Sequence, residues 1–385
     1  MLTSTVNITS KLPHVGTTIF TIMSGLANEC KAINLSQGFP NFAVSPALIE
    51  LINKSMCEGM NQYSPMPGLI TLREAIAKKT MLRFGTQYNP ETEITITSGG
   101  TQALFTAIMA TVSKGDEVII FDPAYDSYAP AVELAGGVPI HIALMPPNFN
   151  IDWNEVQQTI SPQTRMIIIN NPGNPSSQVL TKEDMIALQK ITDGTNIIVL
   201  SDEVYEHIIF DGQQHQSVSM FPQLAARSLV VYSFGKTFHA TGWKMGYILG
   251  PQMLMTEFRK VHQFNVFSAN TPIQAALSVF LSDENNYNYL EKFFAQKRDY
   301  FASMLLSSRF KILPCCGSYF QLLDYSAITS EHDKDYAIRM TKENGVASIP
   351  VSAFYKNDTD NKLLRFCFAK DDATLQAAAE RLCKI

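Results

Sequence analysis

The stretch SFGKTFHATGWKMGY, residues 233–247, gives the clearest indication of the fold and its chemistry. It follows the apolar run SLVVY at 228–232 and carries Lys236 between a glycine and a series of aromatic residues. An acid, Asp202, closely follows a second apolar run, NIIVL at 196–200. Both runs are continuous, as is typical of strands buried on both faces. We therefore expect the amine and the acid at the ends of neighbouring buried strands.

The middle of the chain alternates such strands with helical patterns. Continuous apolar strands indicate a mostly parallel sheet covered by helices, an α/β fold. In such sheets ligands bind beyond the carboxyl ends of the strands, where the unusual polar clusters of this chain fall. Strands are predicted at 93–97, 117–121, 138–143, 165–169, 196–200, 228–232 and 247–249, and helices at 102–112 and 182–192.

The pattern changes after about residue 285. A chain of 385 residues favours two domains, and the C-terminal part reads as a smaller α+β domain. Its predicted elements are helices at 287–306 and 373–384 and strands at 319–323 and 364–368. The predicted division is an N-terminal arm at 1–45 that belongs to the small domain, a large domain at 46–284, and the C-terminal part of the small domain at 285–385.

Composition excludes several classes of protein. Net charge is −5, so no basic field is available to bind nucleic acid or an anionic membrane. Neither a signal peptide nor an apolar run of spanning length is evident, and the six cysteines form no C-x-x-C pair. We expect a cytoplasmic protein with reduced thiols. For the adjacent Cys315 and Cys316, a buried structural pair is the preferred interpretation and a redox site the alternative.

The lysine and the acid together indicate a cofactor. A lysine can form a Schiff base with an aldehyde, and a carboxylate can hold a protonated pyridine nitrogen, so the pair suggests pyridoxal phosphate. Alone, Lys236 could be a surface lysine, and Asp202 in Ser-Asp-Glu could be a helix N-cap.

The spacing of the polar residues resembles that of the class I, fold-type I aminotransferases, which use pyridoxal phosphate. The resemblance runs from Ser36-Gln37-Gly38 to Arg365. It implies a large pyridoxal-phosphate-binding domain, a small domain and a homodimer with shared active sites. Its core residues occur in the family's order and at its separations: Asn174, Asp202, Tyr205, Lys236, Lys244 and Arg365.

The resemblance assigns catalytic roles to Lys236, Asp202 and Tyr205, and a cofactor contact to Asn174. Lys236 is implied to hold the cofactor as a Schiff base and, once free, to move the Cα proton. Asp202 pairs with the ring nitrogen, and Tyr205 and Asn174 donate to the ring's O3′ oxygen. Otherwise Tyr205 is a half-buried tyrosine and Asn174 a turn residue.

The remaining cofactor contacts follow from the same resemblance. Gly100 and Thr101, at the predicted start of a helix, match the phosphate loop, and Ser233 and Lys244 match further phosphate contacts. Lys244 stands where the family often has arginine, so a single ammonium charge replaces the two hydrogen bonds that a guanidinium would donate to the phosphate. Two tyrosines complete the implied set: Tyr125, which stacks on the ring, and Tyr63, which reaches the phosphate of the other subunit.

Arg365 is a lone charge in the apolar run LRFCF at 364–368. A buried arginine needs a partner. The resemblance implies that it binds the substrate α-carboxylate, with Gly38 and Asn174 close by. A structural ion pair is the alternative.

Substrate choice is inferred from an absence of charge. Relatives specific for dicarboxylates carry an arginine near the segment HQFNVF at 262–267, which has none here, and Phe39 and Tyr63 would add apolar surface. We expect an uncharged amino acid, since the chain resembles the branch of kynurenine, glutamine and bacterial methionine aminotransferases. Methionine comes first, followed by aromatic amino acids and glutamine.

Three other functions use the same residues. A carbon–sulfur β-lyase would need the same cofactor and the same proton removal. A serine hydrolase would use Ser233-x-x-Lys236, but its Lys-Thr-Gly and Ser-Asp-Asn partners are missing. A sensor domain of a transcription regulator would need a DNA-binding domain ahead of the motifs, and the preceding residues are few and not basic.

Overall fold

The computed structural model describes residues 6–385, so residues 1–5 of the predicted N-terminal arm lie outside it. In chain order the helices are α1 Ile19–Glu29, α2 Pro46–Cys57, α3 Ile70–Phe84, α4 Gly100–Thr111, α5 Tyr128–Leu134, α6 Trp153–Thr159, α7 Lys182–Thr192, α8 Pro222–Ala225, α9 Phe234–Thr237, α10 Gln252–Asn265, α11 Thr271–Phe280, α12 Asn285–Asn288, α13 Leu290–Met304, α14 Asp333–Glu343 and α15 Asp372–Leu382. The strands are β1 Ile33–Asn34, β2 Ile94–Thr97, β3 Glu117–Asp122, β4 Val138–Ala143, β5 Thr164–Asn170, β6 Ile198–Asp202, β7 Ser228–Ser233, β8 Gly246–Leu249, β9 Lys311–Ile312, β10 Phe320–Asp324, β11 Val346–Ala347, β12 Ile349–Pro350 and β13 Leu363–Cys367.

The main sheet has seven strands in the order β2-β8-β7-β6-β5-β3-β4. Strand β8 runs antiparallel to both of its neighbours, and the other pairs are parallel. Ile167 and Val199 pack into one apolar cluster, whereas the next residues, Ile168 and Leu200, pack into a second one. Successive residues thus enter separate cores on the two faces, which explains the continuous apolar runs. The predicted α/β fold with a mostly parallel sheet is confirmed.

A smaller antiparallel sheet, in the order β12-β13-β10-β9, lies in the C-terminal part of the chain. Near the N-terminus, β1 pairs in parallel with β11, with Ile33 opposite Val346. This pairing supports the proposal that the N-terminal arm belongs with the C-terminal domain, and the exact boundaries of the domains stay a prediction. No helix within residues 6–385 is long and apolar enough to cross a membrane.

Two element bounds differ from the predictions in an instructive way. The helix expected at 287–306 is two helices, α12 and α13, separated at Tyr289. The asparagines of the segment NNYN favour such breaks because their side chains compete for backbone hydrogen bonds. Strand β6 ends at Asp202, two residues later than expected. Asp202 is therefore part of the sheet, opposite Asn170 and Val231, and its backbone is fixed by both neighbours.

Candidate active site

A cavity of about 210 Å³ lies at the carboxyl ends of β5, β6 and β7. These three strands end in Asn170, Asp202 and Ser233, which all line the cavity. The structure thus brings together residues from five separate segments of the sequence. The predicted site residues in the lining are Gly100, Thr101, Tyr125, Asn174, Asp202, Tyr205, Ser233, Lys236 and Lys244.

Lys236 lies in the short helix α9, directly after β7. The preceding Gly235 is required by space, because a Cβ there would lie 3.0 Å from the Cα of Thr241. The Lys236 Nζ donates hydrogen bonds to the carbonyl of Gly38 at 3.0 Å and to the Oη of Tyr319 at 2.8 Å. Burial lowers the pKa of its amine to about 8. A larger share of neutral, nucleophilic amine is therefore present near neutral pH than for an exposed lysine.

Asp202 is a buried carboxylate that faces the cavity. Its Oδ2 accepts a hydrogen bond from the phenol of Tyr128 at 2.6 Å, and its Oδ1 accepts from the backbone N–H of Val204 at 3.4 Å. Burial raises its pKa to about 6, and the hydrogen bond from Tyr128 opposes that rise. Within residues 6–385 no cation forms a salt bridge with this carboxylate, so a cationic group in the cavity would find a ready partner.

Two buried carboxylates fix the turn that follows Asp202. Glu203 accepts from His215 at 2.9 Å and from Tyr232 at 2.8 Å, and Glu206 forms an ion pair with Lys79. These acids point into the core, whereas Asp202 and Tyr205 line the cavity. Glu203 and Glu206 therefore anchor the segment 202–206, from which Asp202, Val204 and Tyr205 face the cavity.

Tyr205 and Asn174 approach the cavity from different segments. The ring of Tyr205 is buried and lies nearly perpendicular to that of Tyr319, with their centroids 5.0 Å apart. Burial raises the pKa of Tyr205 well above its usual value, so the phenol keeps its proton. The Oδ1 of Asn174 accepts from Arg365 at 2.6 Å, which leaves the amide nitrogen to donate elsewhere. The phenol of Tyr205 and the amide nitrogen of Asn174 can therefore each donate a hydrogen bond to a ligand in the cavity.

The N-terminus of α4 forms a further part of the cavity wall. Gly99 precedes it with a φ of +81°, in the region that favours glycine, and Gly100 begins the helix. The Oγ1 of Thr101 lies 3.2 Å from the Oη of Tyr125. Lys244 also lines the cavity, so free backbone N–H groups and a cation meet at one end. This arrangement suits a phosphate group.

Arg365 lies on β13 and is almost completely buried. It donates to the Oδ1 of Asn174 at 2.6 Å and to the carbonyl of Ser36 at 2.8 Å. The Cζ atom of its planar guanidinium lies 4.1 Å from the ring centroid of Phe320. Its Nε has no hydrogen-bond partner among the described residues, and no carboxylate there forms a salt bridge with it. A direct ion pair is therefore not formed among the described residues, and the binding of a substrate carboxylate by Arg365 stays a prediction.

The two remaining predicted residues lie in different surroundings. The carbonyl of Gly38 accepts from Lys236, and a Cβ at Gly38 would lie 2.9 Å from the ring of Phe320. Tyr63 is 81% exposed, packs edge-on against Phe267 at 5.3 Å, and is not part of the cavity lining of its own chain. Its contact with a second subunit stays a prediction.

Sequence reasoning missed four residues of the site. Tyr128 bonds to Asp202, Tyr319 bonds to Lys236, Ser36 accepts from Arg365, and the Nδ2 of Asn170 donates to the Asp202 carbonyl at 2.9 Å. Asn170 could have been found, since it ends a predicted strand as Asp202 does. The other three reach the site through packing between distant segments, which leaves no local pattern.

Three comparisons relate the chain to known proteins. The family model described as aminotransferase class I and II matches residues 31–382. The chain is 51% identical, over 97% of each chain, to methionine aminotransferase of Escherichia coli strain K12, and 33% identical, over 93% of each, to kynurenine–oxoglutarate transaminase 1 of Mus musculus. The crystal structure of YbdL from Escherichia coli, described as having a methionine aminotransferase function, superimposes with a TM-score of 0.97 at 50% identity, over 99% of this chain and 100% of that one. The chain belongs to the class I and II aminotransferases and has their fold-type I architecture.

Proposed function

We propose that this aminotransferase uses pyridoxal 5′-phosphate to move the amino group of methionine to a 2-oxo acid. The observation that carries the proposal is the meeting of Lys236 and Asp202 in one cavity, with a helix N-terminus at its end. An amine, a buried acid and an anion site are the three groups that this cofactor's aldehyde, ring nitrogen and phosphate need. The family, with its curated relatives, supports the same conclusion.

The residues present fit the cofactor. When bound, pyridoxal phosphate supplies a carbonyl that combines with amines and a ring that draws electrons from the substrate Cα. Asp202 would hold the ring nitrogen, because a cation there offsets the cost of its burial. The donors of Tyr205 and the free amide nitrogen of Asn174 would hold the ring's hydroxyl oxygen. Tyr125 would cover the ring face.

The phosphate would lie at the N-terminus of α4. Gly100 and Thr101 would contribute backbone N–H groups, Ser233 a hydroxyl and Lys244 a positive charge. A Cβ at Gly100 would lie 3.1 Å from a methyl carbon of Val204, so the wall is closely packed behind the loop. Side-chain growth there would push against the core.

The substrate would be oriented by Arg365 and its proton moved by Lys236. The guanidinium keeps donors free after it bonds Asn174 and Ser36, so it can donate two hydrogen bonds to a carboxylate. The Lys236 Nζ, whose pKa is lowered to about 8 by burial, can take the Cα proton and give it back near neutral pH.

Methionine is the proposed amino donor, with aromatic amino acids and glutamine next. The relative at 51% identity is a methionine aminotransferase. The segment at 262–267 lacks an arginine that would select a second carboxylate. The relatives named above are aminotransferases or transaminases, which supports amino transfer over the carbon–sulfur β-lyase.

The enzyme is proposed to act as a homodimer with shared sites. Tyr63 is 81% exposed and Phe264 is 91% exposed, and such large apolar surface supports burial against a second copy. Tyr63 would then reach the phosphate in the partner's site. The cytoplasmic location expected from the sequence stays a prediction.

The absorption spectrum of the purified chain with pyridoxal phosphate tests the function. Methionine alone should remove the visible band of the lysine-bound cofactor, and a 2-oxo acid should restore it. Aspartate should act much more slowly, as the matched control for side-chain charge. With a cysteine S-conjugate in place of methionine, a band that persists while a thiol, pyruvate and ammonia are released would favour the β-lyase and contradict transamination. No band at all would contradict the cofactor.

A further inference from the structure

The free amine of Lys236 is held by a residue that the family roles above leave unassigned. Tyr319 immediately precedes β10 in the C-terminal part of the chain, and its side chain is completely buried. Its Oη lies 2.8 Å from the Nζ of Lys236 and 2.7 Å from the carbonyl oxygen of Gly38. The Nζ also lies 3.0 Å from that carbonyl. Amine, phenol and carbonyl therefore form a closed triangle.

The directions of these hydrogen bonds follow from the donors available. A phenol has one hydrogen to donate and a carbonyl has none. Tyr319 gives its hydrogen to Gly38, so its oxygen accepts from the amine. Burial raises the pKa of Tyr319 well above its usual value, which keeps this hydrogen in place. The phenol thus orients one hydrogen of the amine, and a lone pair of the neutral amine is turned away from both acceptors.

The carbonyl in the triangle is itself fixed. Its segment is held on one side by Arg365, which donates to the carbonyl of Ser36 at 2.8 Å. On the other side the buried Lys370 donates to the carbonyl of Phe39 at 2.7 Å. Tyr319 is fixed by its edge-on contact with Tyr205. The triangle therefore restricts the flexible side chain of Lys236 to one position.

We propose that Tyr319 is a positioning residue that, with the Gly38 carbonyl, holds the free amine of Lys236 while that amine moves the Cα proton. The proposal rests on the proposed function, because Lys236 must be free of the cofactor for part of each turnover. A flexible lysine side chain has many rotamers, and holding it in one of them lowers the entropic cost of proton transfer. The alternative is that Tyr319 contributes only packing between the two parts of the chain.

The test compares Tyr319→Phe with Tyr325→Phe. Both replacements keep a buried ring and remove a hydroxyl with two partners. The hydroxyl of Tyr325 contacts the carbonyl of Glu331 at 2.9 Å and Asp360 at 3.5 Å, away from the lining of the cavity. With methionine, kcat of Tyr319→Phe should fall about tenfold or more, as expected for one lost hydrogen bond to an amine that becomes charged as it takes the Cα proton. KM should change little, and deuterium at the methionine Cα should slow this variant more than the wild type. Tyr325→Phe should retain the wild-type isotope effect.

A second readout does not depend on turnover. In the full chain freed of cofactor, the pKa of Lys236 can be measured by acetylation at a series of pH values, followed by peptide mass spectrometry. Loss of the acceptor on Tyr319 disfavours the ammonium form, so this pKa should fall in Tyr319→Phe and stay unchanged in Tyr325→Phe.

The outcomes separate the two proposals. If the wild type transaminates methionine but Tyr319→Phe keeps its kcat, isotope effect and amine pKa, the positioning role is wrong. A lower kcat with an unchanged isotope effect and amine pKa indicates packing alone and also overturns it. If the wild type shows no transamination, the proposed function fails, while a shifted amine pKa still supports the contact.

Discussion

Replacement of Arg365 by lysine should weaken the recognition of the substrate carboxylate while leaving the fold intact. The guanidinium has five donor hydrogens, and Asn174 and Ser36 occupy two of its nitrogens. A lysine has three donor hydrogens and no planar fork. If it satisfies the same two oxygens, at most one donor is left for a carboxylate that the arginine would bind with two.

The expected loss is one charge-assisted hydrogen bond. Such a bond contributes about 1.5–3 kcal/mol. Since each 1.4 kcal/mol corresponds to a factor of ten, kcat/KM for methionine should fall roughly ten- to 150-fold. The buried position of Arg365 places the effect at the upper end, because water cannot replace the missing donor.

The assay compares methionine with methioninamide, which lacks the carboxylate. Arg365→Lys should lower kcat/KM for methionine and leave the slow reaction of the amide nearly unchanged. Arg227→Lys is the matched control, since Arg227 also donates to backbone carbonyls, at 3.0 and 3.1 Å, but bonds to no residue of the cavity lining, whereas Arg365 bonds to Asn174 there. Equal losses for both substrates would refute the assigned role of Arg365 and indicate a structural one.

Three further predictions concern two buried carboxylates and one glycine of the site. Burial raises the pKa of Asp202 to about 6, so the cofactor-free protein should lose roughly 2–3 kcal/mol of unfolding free energy as pH rises from about 4 to 6. Asp202→Asn should remove this component from the dependence of Tm on pH. Glu206→Met should cost about 3–5 kcal/mol in urea unfolding because it leaves the Lys79 ammonium unpaired, and Lys79→Met with Glu206→Met should recover most of it. Gly38→Ala should raise KM for methionine, because the new Cβ would displace the ring of Phe320 that packs on the guanidinium.

Each of these has a control or a contradicting result. For Asp202→Asn, a Tm–pH curve parallel to that of the wild type would show that burial does not raise this pKa. The pKa of Glu206 is held well below its usual value, so the ion pair's contribution should be present above about pH 4.5 and lost as pH falls. A double variant as unstable as the single one would contradict the pairing. Gly25→Ala, where a Cβ would meet nothing within 4 Å, is the control for Gly38→Ala.

The main sheet was predictable because strands buried on both faces are continuous apolar runs, which are visible in short segments of the sequence. Residues 138–143 and 182–192 form β4 and α7 with the expected bounds. The strand that ends at Asp202 and the strand that precedes Lys236 were identified to within two residues. The single antiparallel strand, β8, was not foreseen as such. The apolar pattern of a buried strand is the same whether the strand is parallel or antiparallel, so its orientation depends on how the chain connects.

The site was predictable where its residues follow strands and matched a family order. Asp202, Ser233 and Lys236 are of this kind. Tyr128 and Tyr319 were not predictable, because a tyrosine in an apolar pattern is normally a core residue and only the packing brings its hydroxyl to a partner. Tyr63 depends on a second subunit, so neither its sequence nor one chain's structure tests its role.

The most direct test of the account is to locate the cofactor on the chain. The holoenzyme is reduced with borohydride, digested and analysed by peptide mass spectrometry for a lysine that carries the phosphopyridoxyl group. Lys236 should carry it, because its amine lines the cavity that contains Asp202 and the α4 N-terminus. Attachment at another buried lysine, such as Lys79 or Lys370, or no attachment at all, would contradict the central claim.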